Sequence, residues 1–255
     1  MNIRPAAVAG LFYPGDSTEL DVSISSLLAT GQVNGLSRPR ALIVPHAEYI
    51  YSGIAAGRAY ATLRAWAASY SQVVLIGPAH RKAIRGYAIA SQDAFATPIG
   101  LVHISTRLRS DFVEKERCRI DDEAHAEEHS LEVQLPFLLK ALKQFELLPL
   151  LVSGLSAETI AGDLAGFWDD DQTLIVVSTG LSHFHEYAEA RRLDGESDAA
   201  IRSLQSDTIG PESACGAVAL NGLLRLASLR QAEIERLALY NSGDIAAGDR
   251  SRVVG

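Results

Sequence analysis

Val73-Val74-Leu75-Ile76-Gly77-Pro78-Ala79-His80 is the stretch on which the fold turns. Four apolar residues, three of them β-branched, stand without a polar interruption. Such a run suits a strand buried on both faces of a parallel or mixed sheet. The chain then breaks at Gly-Pro and delivers a histidine. The same pattern recurs twice. Ala41-Leu42-Ile43-Val44 leads to Pro45-His46, and Leu174-Ile175-Val176-Val177 leads through Ser178-Thr179-Gly180-Leu181-Ser182 to His183. In open α/β sheets ligands bind beyond the carboxyl ends of the strands. If these strands are parallel neighbours, their histidines converge on one rim. A single histidine after a strand is ordinarily a loop residue; three in the same topological place point to a shared site.

Helical patterns alternate with the apolar runs. Residues 53–67 follow Ser52, read as an N-cap. Residues 129–143 read as helix with Pro136 as a kink or a late start. Residues 157–168, 186–204 and 213–229 complete the helices. Shorter strands are expected at 86–90, 101–104, 147–152 and 234–240. The alternation predicts an α/β fold, a three-layer αβα sandwich around a mostly parallel or mixed central sheet. The 255 residues contain no repeat, low-complexity tract or linker-like stretch. One domain over 1–255 is therefore expected.

Composition narrows the functional classes. Apolar residues are 47% of the chain, enough for a sizeable core. Asp and Glu total 31 against 23 Lys and Arg, a net charge of −8 that argues against a broad nucleic-acid surface. No apolar run reaches the roughly 18 residues of a membrane span. Met1-Asn2-Ile3-Arg4-Pro5 lacks the apolar stretch of a secretory signal. Two cysteines, Cys118 and Cys215, do not make a disulfide framework. The expected location is the cytoplasm, with no membrane and no nucleic-acid partner.

Cys215 is the second carrier of chemistry. It follows Pro211-Glu212-Ser213-Ala214 and precedes a helical run. A thiol in a helix's first turn is biased towards the thiolate, a soft ligand for copper(I), iron or zinc. The commoner fate of such a residue is a small buried hydrophobe beside Gly216. Cys118 lacks that context and reads as structural. His125-Ala126-Glu127-Glu128-His129 matches the His-x-x-Glu-His pattern of inverted zinc peptidases. Against it, Asp121-Asp122-Glu123 looks like a loop or helix entry, and apolar periodicity begins only at Leu131. Tyr49 and Tyr51 beside His46 are candidate pocket residues. Asp244, in Ser242-Gly243-Asp244, is a candidate pocket residue or only a turn residue.

These residues lie within a longer pattern. Arg4-Pro5 with Ala9-Gly10-Leu11-Phe12-Tyr13-Pro14-Gly15-Asp16 resembles the opening signature of the Memo family. So do Pro45-His46-Ala47 with Tyr49-Ile50-Tyr51-Ser52-Gly53, Gly77-Pro78 with His80, and Phe95-Ala96-Thr97-Pro98-Ile99-Gly100. Glu128-His129-Ser130-Leu131-Glu132-Val133-Gln134-Leu135-Pro136, Leu181-Ser182-His183, Ala214-Cys215-Gly216, Ser242-Gly243-Asp244 and Val253-Val254-Gly255 continue in order. The likeness spans almost the whole chain.

The resemblance implies a fold like that of class III extradiol dioxygenases, which use non-heme iron(II). It implies a metal site at His46, His80 and Cys215, with iron(II) or copper or no ion bound, and His183 as the catalytic acid/base. Glu128 and His129 are expected near that pocket. Prokaryotic members are known as protein B of the AmmeMemoRadiSam system. Family resemblance therefore implies an AMMECR1-like protein and a radical S-adenosylmethionine protein as partners, and a small-molecule or peptide ligand. The implied function is a metal-dependent redox protein, an oxidoreductase of dioxygenase-like type. The alternatives are a non-catalytic peptide- or protein-binding module, and a zinc hydrolase using His125, Glu128 and His129. Three positions depart from the family pattern: Glu48 for Gly, Ala79 for Asn, and Gly180 for Asp. Glu48 is expected to compensate in part for the carboxylate missing at 180. Relatives ordinarily continue past Gly255, so the last strand is expected to be cut short.

Overall fold

The computed structural model describes residues 1–31, 37–245 and 249–255. In chain order the elements are β1 (Ile3–Arg4), α1 (Ser17–Ala29), β2 (Ala41–Val44), α2 (Tyr49–Ala61), β3 (Gln72–Gly77), β4 (Gly86–Ile89), β5 (Ala94–Thr97), β6 (Gly100–His103), α3 (Thr106–Val113) and β7 (Cys118–Ile120). There follow α4 (Asp122–Ala126), α5 (His129–Glu132), α6 (Leu135–Ala141), β8 (Glu146–Ser153), α7 (Ala157–Asp169), β9 (Thr173–Ser178), β10 (His183–His185), α8 (Tyr187–Arg202), α9 (Ala217–Leu229) and β11 (Val253–Val254).

The central sheet has six strands in the order β2-β9-β3-β8-β4-β7. β2, β9, β3 and β8 run parallel, and β4 pairs antiparallel with β8. The three uninterrupted apolar runs are thus the adjacent strands β2, β9 and β3. Their side chains alternate between faces. Val73 and Leu75 join Leu174 and Val176 in a core beneath α1, α2 and α6. Val74 and Ile76 join Ile175 and Val177 beneath α3, α7 and α9. Burial on both faces explains why these strands carry no polar alternation. The result is a three-layer αβα sandwich around a mixed sheet, as the sequence leads one to expect.

Several local expectations are corrected. The second helix starts at Tyr49 with Glu48 at its cap, not after Ser52. The Ser52 hydroxyl instead donates to the carbonyl of Ala47. Residues 129–143 split into α5 and α6, with Pro136 in the first turn of α6, where its missing N–H costs nothing. Residues 234–240 form no strand. α9 begins at Ala217 with Gly216 as its cap, so Cys215 precedes the helix rather than occupying its first turn. Among the described residues no helix is long and apolar enough to cross a membrane.

Candidate metal centre

β2, β9 and β3 end on the same rim of the sheet. His46 follows β2 by two residues and His80 follows β3 by three, while Cys215 arrives on the loop before α9. One nitrogen from each ring and the Cys215 sulfur all lie within 4.8 Å of one another. The His46 Nε2 is 3.1 Å from Cys215 Sγ. The two imidazoles meet edge-on, with centroids 5.2 Å apart. Cys215 comes this close because Gly216 has no side chain. A Cβ there would stand 2.6 Å from Thr179 Cβ and 2.8 Å from the Ser178 carbonyl oxygen. The Gly180 N–H donates to the sulfur at 3.3 Å.

The surrounding hydrogen bonds fix where the ring protons sit. Ser178 Oγ donates its single hydrogen to the Ser130 carbonyl at 2.6 Å and accepts from Gln134 Nε2 at 3.0 Å. Its contact with His46 Nδ1, 3.0 Å, is therefore one in which the ring nitrogen donates. That leaves the His46 Nε2 lone pair aimed at the sulfur. His80 Nδ1 is 2.9 Å from Glu128 Oε1, a buried carboxylate oxygen that accepts. His80 Nε2 is likewise left for the cluster. Two imidazoles and a thiol thus offer three basic atoms at one point with a single proton among them.

Glu128 is itself held in place. It caps α5 and accepts from the N–H of Ser130 at 2.9 Å. Behind it lies Arg4, which donates through Nε to the His125 carbonyl at 2.6 Å and through Nη2 to the Glu128 carbonyl at 2.9 Å. Arg4 Nη1 reaches Glu132 Oε2 at 2.5 Å. Glu132 also accepts from the N–H groups of Ala7 and Val8 and from the Tyr13 hydroxyl. The N-terminal signature is therefore a support for the wall that carries Glu128 and His129. Phe12 completes it, its ring 4.7 Å from that of His129.

Burial opposes charge throughout, and hydrogen bonding decides which groups resist it. Burial pushes the Cys215 thiol up, yet a ring N–H given to the sulfur when His46 or His80 carries the shared proton, with the Gly180 N–H, outweighs it and brings the thiol down to about 5. Burial pushes the His80 imidazole down, yet bonds with Cys215 and Glu128 hold it at about 9. Burial raises the Glu128 carboxyl, and the bonds from the His80 ring, Ser130 and the His80 amide bring it to about 2. His129 Nδ1 has no hydrogen bond, and the Glu128 charge offsets only part of the effect of burial. Burial first and the His46 charge second lower it to about 4.

The cluster opens into a cavity of about 650 Å³ bordered by His46, His80, His129 and His183. A larger cleft of about 1030 Å³ runs along β2. The smaller cavity is the better candidate because the histidines border it. His183 begins β10 and donates through Nδ1 to the Leu181 carbonyl at 2.8 Å. Its ring lies over Gly180, where an added Cβ would come within 3.1 Å of His183 Cε1. Glycine at 180 therefore makes room for the imidazole. Phe184 at the mouth is exposed and held at φ 64°, with the Arg252 guanidinium 5.0 Å from its ring centroid. A phenylalanine in that region is strained.

The remaining candidates fall in various places. Glu48 and Tyr51 border the cavity. Glu48 is exposed and caps α2 without a side-chain hydrogen bond, and the carboxylate on a site histidine is Glu128. Tyr49 is buried and donates its hydroxyl to the Val133 carbonyl. Asp244 stands off the cavity wall, accepting from the Tyr187 hydroxyl and the Asn241 N–H. The peptidase pattern is not realised. His125 and His129 lie on separate helices, and the buried His125 donates through Nε2 to the Ala88 carbonyl. Sequence reasoning passed over Ser178, Gln134 and Phe12. The available signal for Ser178 was a polar residue closing an otherwise apolar, buried strand.

Comparison with known proteins adds a second line of observation. A sequence model of the family described as Memo-like protein matches residues 4–255. A MEMO1 family protein of Aquifex aeolicus is 35% identical over 266 residues, spanning 100% of this chain and 97% of its own length. A MEMO1 family protein of Thermoplasma volcanium is 32% identical over 263 residues, spanning 99% and 96%. Among solved structures, an uncharacterized protein of Escherichia coli K12 covers 73% of this chain and 86% of its own with 18% identity and a TM-score of 0.48, a likeness too distant to inform the site.

Proposed function

The chain belongs to the Memo family, and on that premise we propose that it holds one transition-metal ion, iron(II) or copper, on His46, His80 and Cys215 for redox chemistry on a small molecule. The observation that carries this reading is the convergence of two Nε2 atoms and a sulfur that share a single proton, the Nδ1 protons being committed to Ser178 and Glu128. Such a set of Lewis bases suits a cation better than it suits itself. Two imidazoles and one anionic ligand on one side leave open positions, the arrangement of non-heme iron oxygenases. A thiolate in the anionic place favours softer metals. A bound ion would supply one-electron chemistry and a place for dioxygen or an organic ligand.

The protein's own contributions are positional. Ser178 and Glu128 orient the two rings and raise their basicity through the Nδ1 hydrogen bonds. Gly180 holds the sulfur. His183, with its Nδ1 donating to Leu181, keeps Nε2 available to take or give a proton at the cavity. Partnership with an AMMECR1-like protein and a radical S-adenosylmethionine protein, and a cytoplasmic setting, belong to the same proposal. The test is metal analysis of protein purified without chelator, against Cys215→Ser. Native protein is expected to retain about one equivalent and the variant far less. Equal metal in both would remove Cys215 from the ligand set.

A second reading has its own support. Leu11, Ile50 and Phe184 are 72%, 68% and 62% exposed, and each lies in or beside a segment that borders the cavity. An apolar rim suits a peptide or protein ligand on a non-catalytic module. Native protein that takes up neither iron nor copper would favour it.

A further inference from the structure

β2 is an edge strand of the six-stranded sheet. On its inner side the carbonyls of Arg40 and Val44 accept from the N–H groups of Ile175 and Thr179 at 3.2 and 2.9 Å. In a parallel ladder alternate residues face the neighbour, so the N–H and C=O groups of Ala41 and Ile43 point away from the sheet. Among the described residues none of these groups has a hydrogen-bond partner. Both residues are only partly buried, and both border the cleft of about 1030 Å³. Residues 232–240 border the same cleft. Ile234 packs against the core on one side of the sheet and Leu237 against the core on the other. This strap shields the sheet's end with side chains and gives β2 no backbone pairing.

Two guanidinium groups stand where the chain enters β2. Arg40 gives one Nη to Asp171, while its Nη1 is buried without a partner. Arg38 lies over the Tyr70 ring, 5.0 Å from its centroid, and its Nη2 is likewise buried without a partner. Both residues border the cleft. Buried polar atoms of folded proteins are nearly always bonded, so two bare donors at one end of a cleft mark a place for an acceptor. A carboxylate is the acceptor that guanidinium nitrogens bind most strongly in a peptide. The cleft's own acidic side chains do not supply it. Asp198 is held by Arg202 and Arg236 at 3.0 and 3.1 Å, and Glu233 and Glu235 are exposed on the strap.

The geometry points to β2 as a docking edge for an extended segment of a partner protein, which adds a seventh strand to the sheet and sets an acidic side chain on Arg38 and Arg40. Main-chain pairing with Ala41 and Ile43 supplies the grip, and the arginines supply the selectivity. The site is separate from the metal centre and does not rest on the metal reading. The cleft adjoins the histidine-bordered cavity at Pro45, Ala55 and Tyr240, so a docked segment would run towards that cavity's wall.

The experiment selects heptapeptides from a displayed random library on native protein and titrates the enriched sequences, labelled, by fluorescence anisotropy. Enriched peptides are expected to carry Asp or Glu at one end of a run rich in β-branched residues. In the complex the Ala41 and Ile43 amides should exchange at least about tenfold more slowly, read by NMR. Arg40→Gln should weaken binding about tenfold, the factor of one charge-assisted hydrogen bond. Arg40→Glu should turn the preference to peptides with Lys in the acidic place. Ile43→Pro removes an outward N–H, which an edge strand tolerates, and should weaken binding about fivefold, while Ile43→Val leaves it unchanged. No enrichment over an unrelated protein would overturn the proposal. So would peptides that bind Arg40→Gln and Ile43→Pro as tightly as native protein, or that protect amides at His80 and His129 instead. Self-association that slows the same two amides without peptide would overturn it in favour of a second copy of the chain. Metal content enters none of these readouts, so their failure leaves the metal reading standing.

Discussion

Replacing Glu132 with alanine should cost about 3–5 kcal/mol of folding stability, the range for breaking a buried ion pair from one side. The side chains of Glu132 and Arg4 are 0% and 2% exposed. Glu132 accepts from Arg4, Ala7, Val8 and Tyr13, so the substitution strands four donors at once. Arg4 keeps its bonds to the His125 and Glu128 carbonyls, which holds the cost within the range rather than above it. In a chain of this size the midpoint of thermal unfolding should fall by about 10 °C. The assay is a denaturant-unfolding cycle of Glu132→Ala, Arg4→Met and the Arg4→Met/Glu132→Ala pair. The pair should cost less than the two single losses added, since no charge is left buried alone, while the Ala7, Val8 and Tyr13 donors stay stranded. A Glu132→Ala cost below about 1 kcal/mol, or single costs that simply add in the pair, would refute the clamp.

Glu128→Gln removes the carboxylate from His80 Nδ1 and should weaken metal affinity about 10–100-fold with the fold intact, read by competition with a chromogenic chelator. Gly216→Ala places a methyl against Thr179 and should cost about 1–3 kcal/mol in chemical unfolding. The control Gly166→Ala, in α7 with nothing within 4 Å, should instead stabilise by up to about 1 kcal/mol. His125 is lowered by burial from 6.5 to about 4, so the folded state resists a proton that the unfolded chain accepts. Its share of stability is present above pH 6.5 and is lost as the pH falls towards 4, about 3 kcal/mol in all. Unfolding free energies across that window should fall less steeply in His125→Leu; parallel slopes would contradict the assignment.

Much of the architecture is readable in the chain because burial on both faces leaves a plain mark. Val73–Ile76 and Leu174–Val177 admit no polar residue, and their sheet positions follow from that. The order β2-β9-β3 is not written locally, since β9 enters from more than ninety residues away. α1 is hard to read in the chain because its buried stripe is only Leu20, Ile24 and Leu28 among serines and acidic residues. Residues 234–240 end in the apolar run Leu237-Ala238-Leu239-Tyr240, but pairing needs a neighbour that sequence alone does not supply. At the site, His46, His80 and Cys215 were legible from their places and from family likeness. The role of Glu128 was hidden within a peptidase-like pattern, because only the fold brings it to His80 and sends His125 to Ala88.

Ser178 has one hydrogen to give, and the Ser130 carbonyl takes it. A main-chain oxygen at the start of a short helix thereby dictates which end of a distant imidazole is bare. Had that carbonyl pointed elsewhere, the hydroxyl could turn and the ring could carry its proton inward, facing the sulfur with an N–H instead of a free electron pair. The polarity of the whole relay is set by backbone geometry during folding, before any guest arrives.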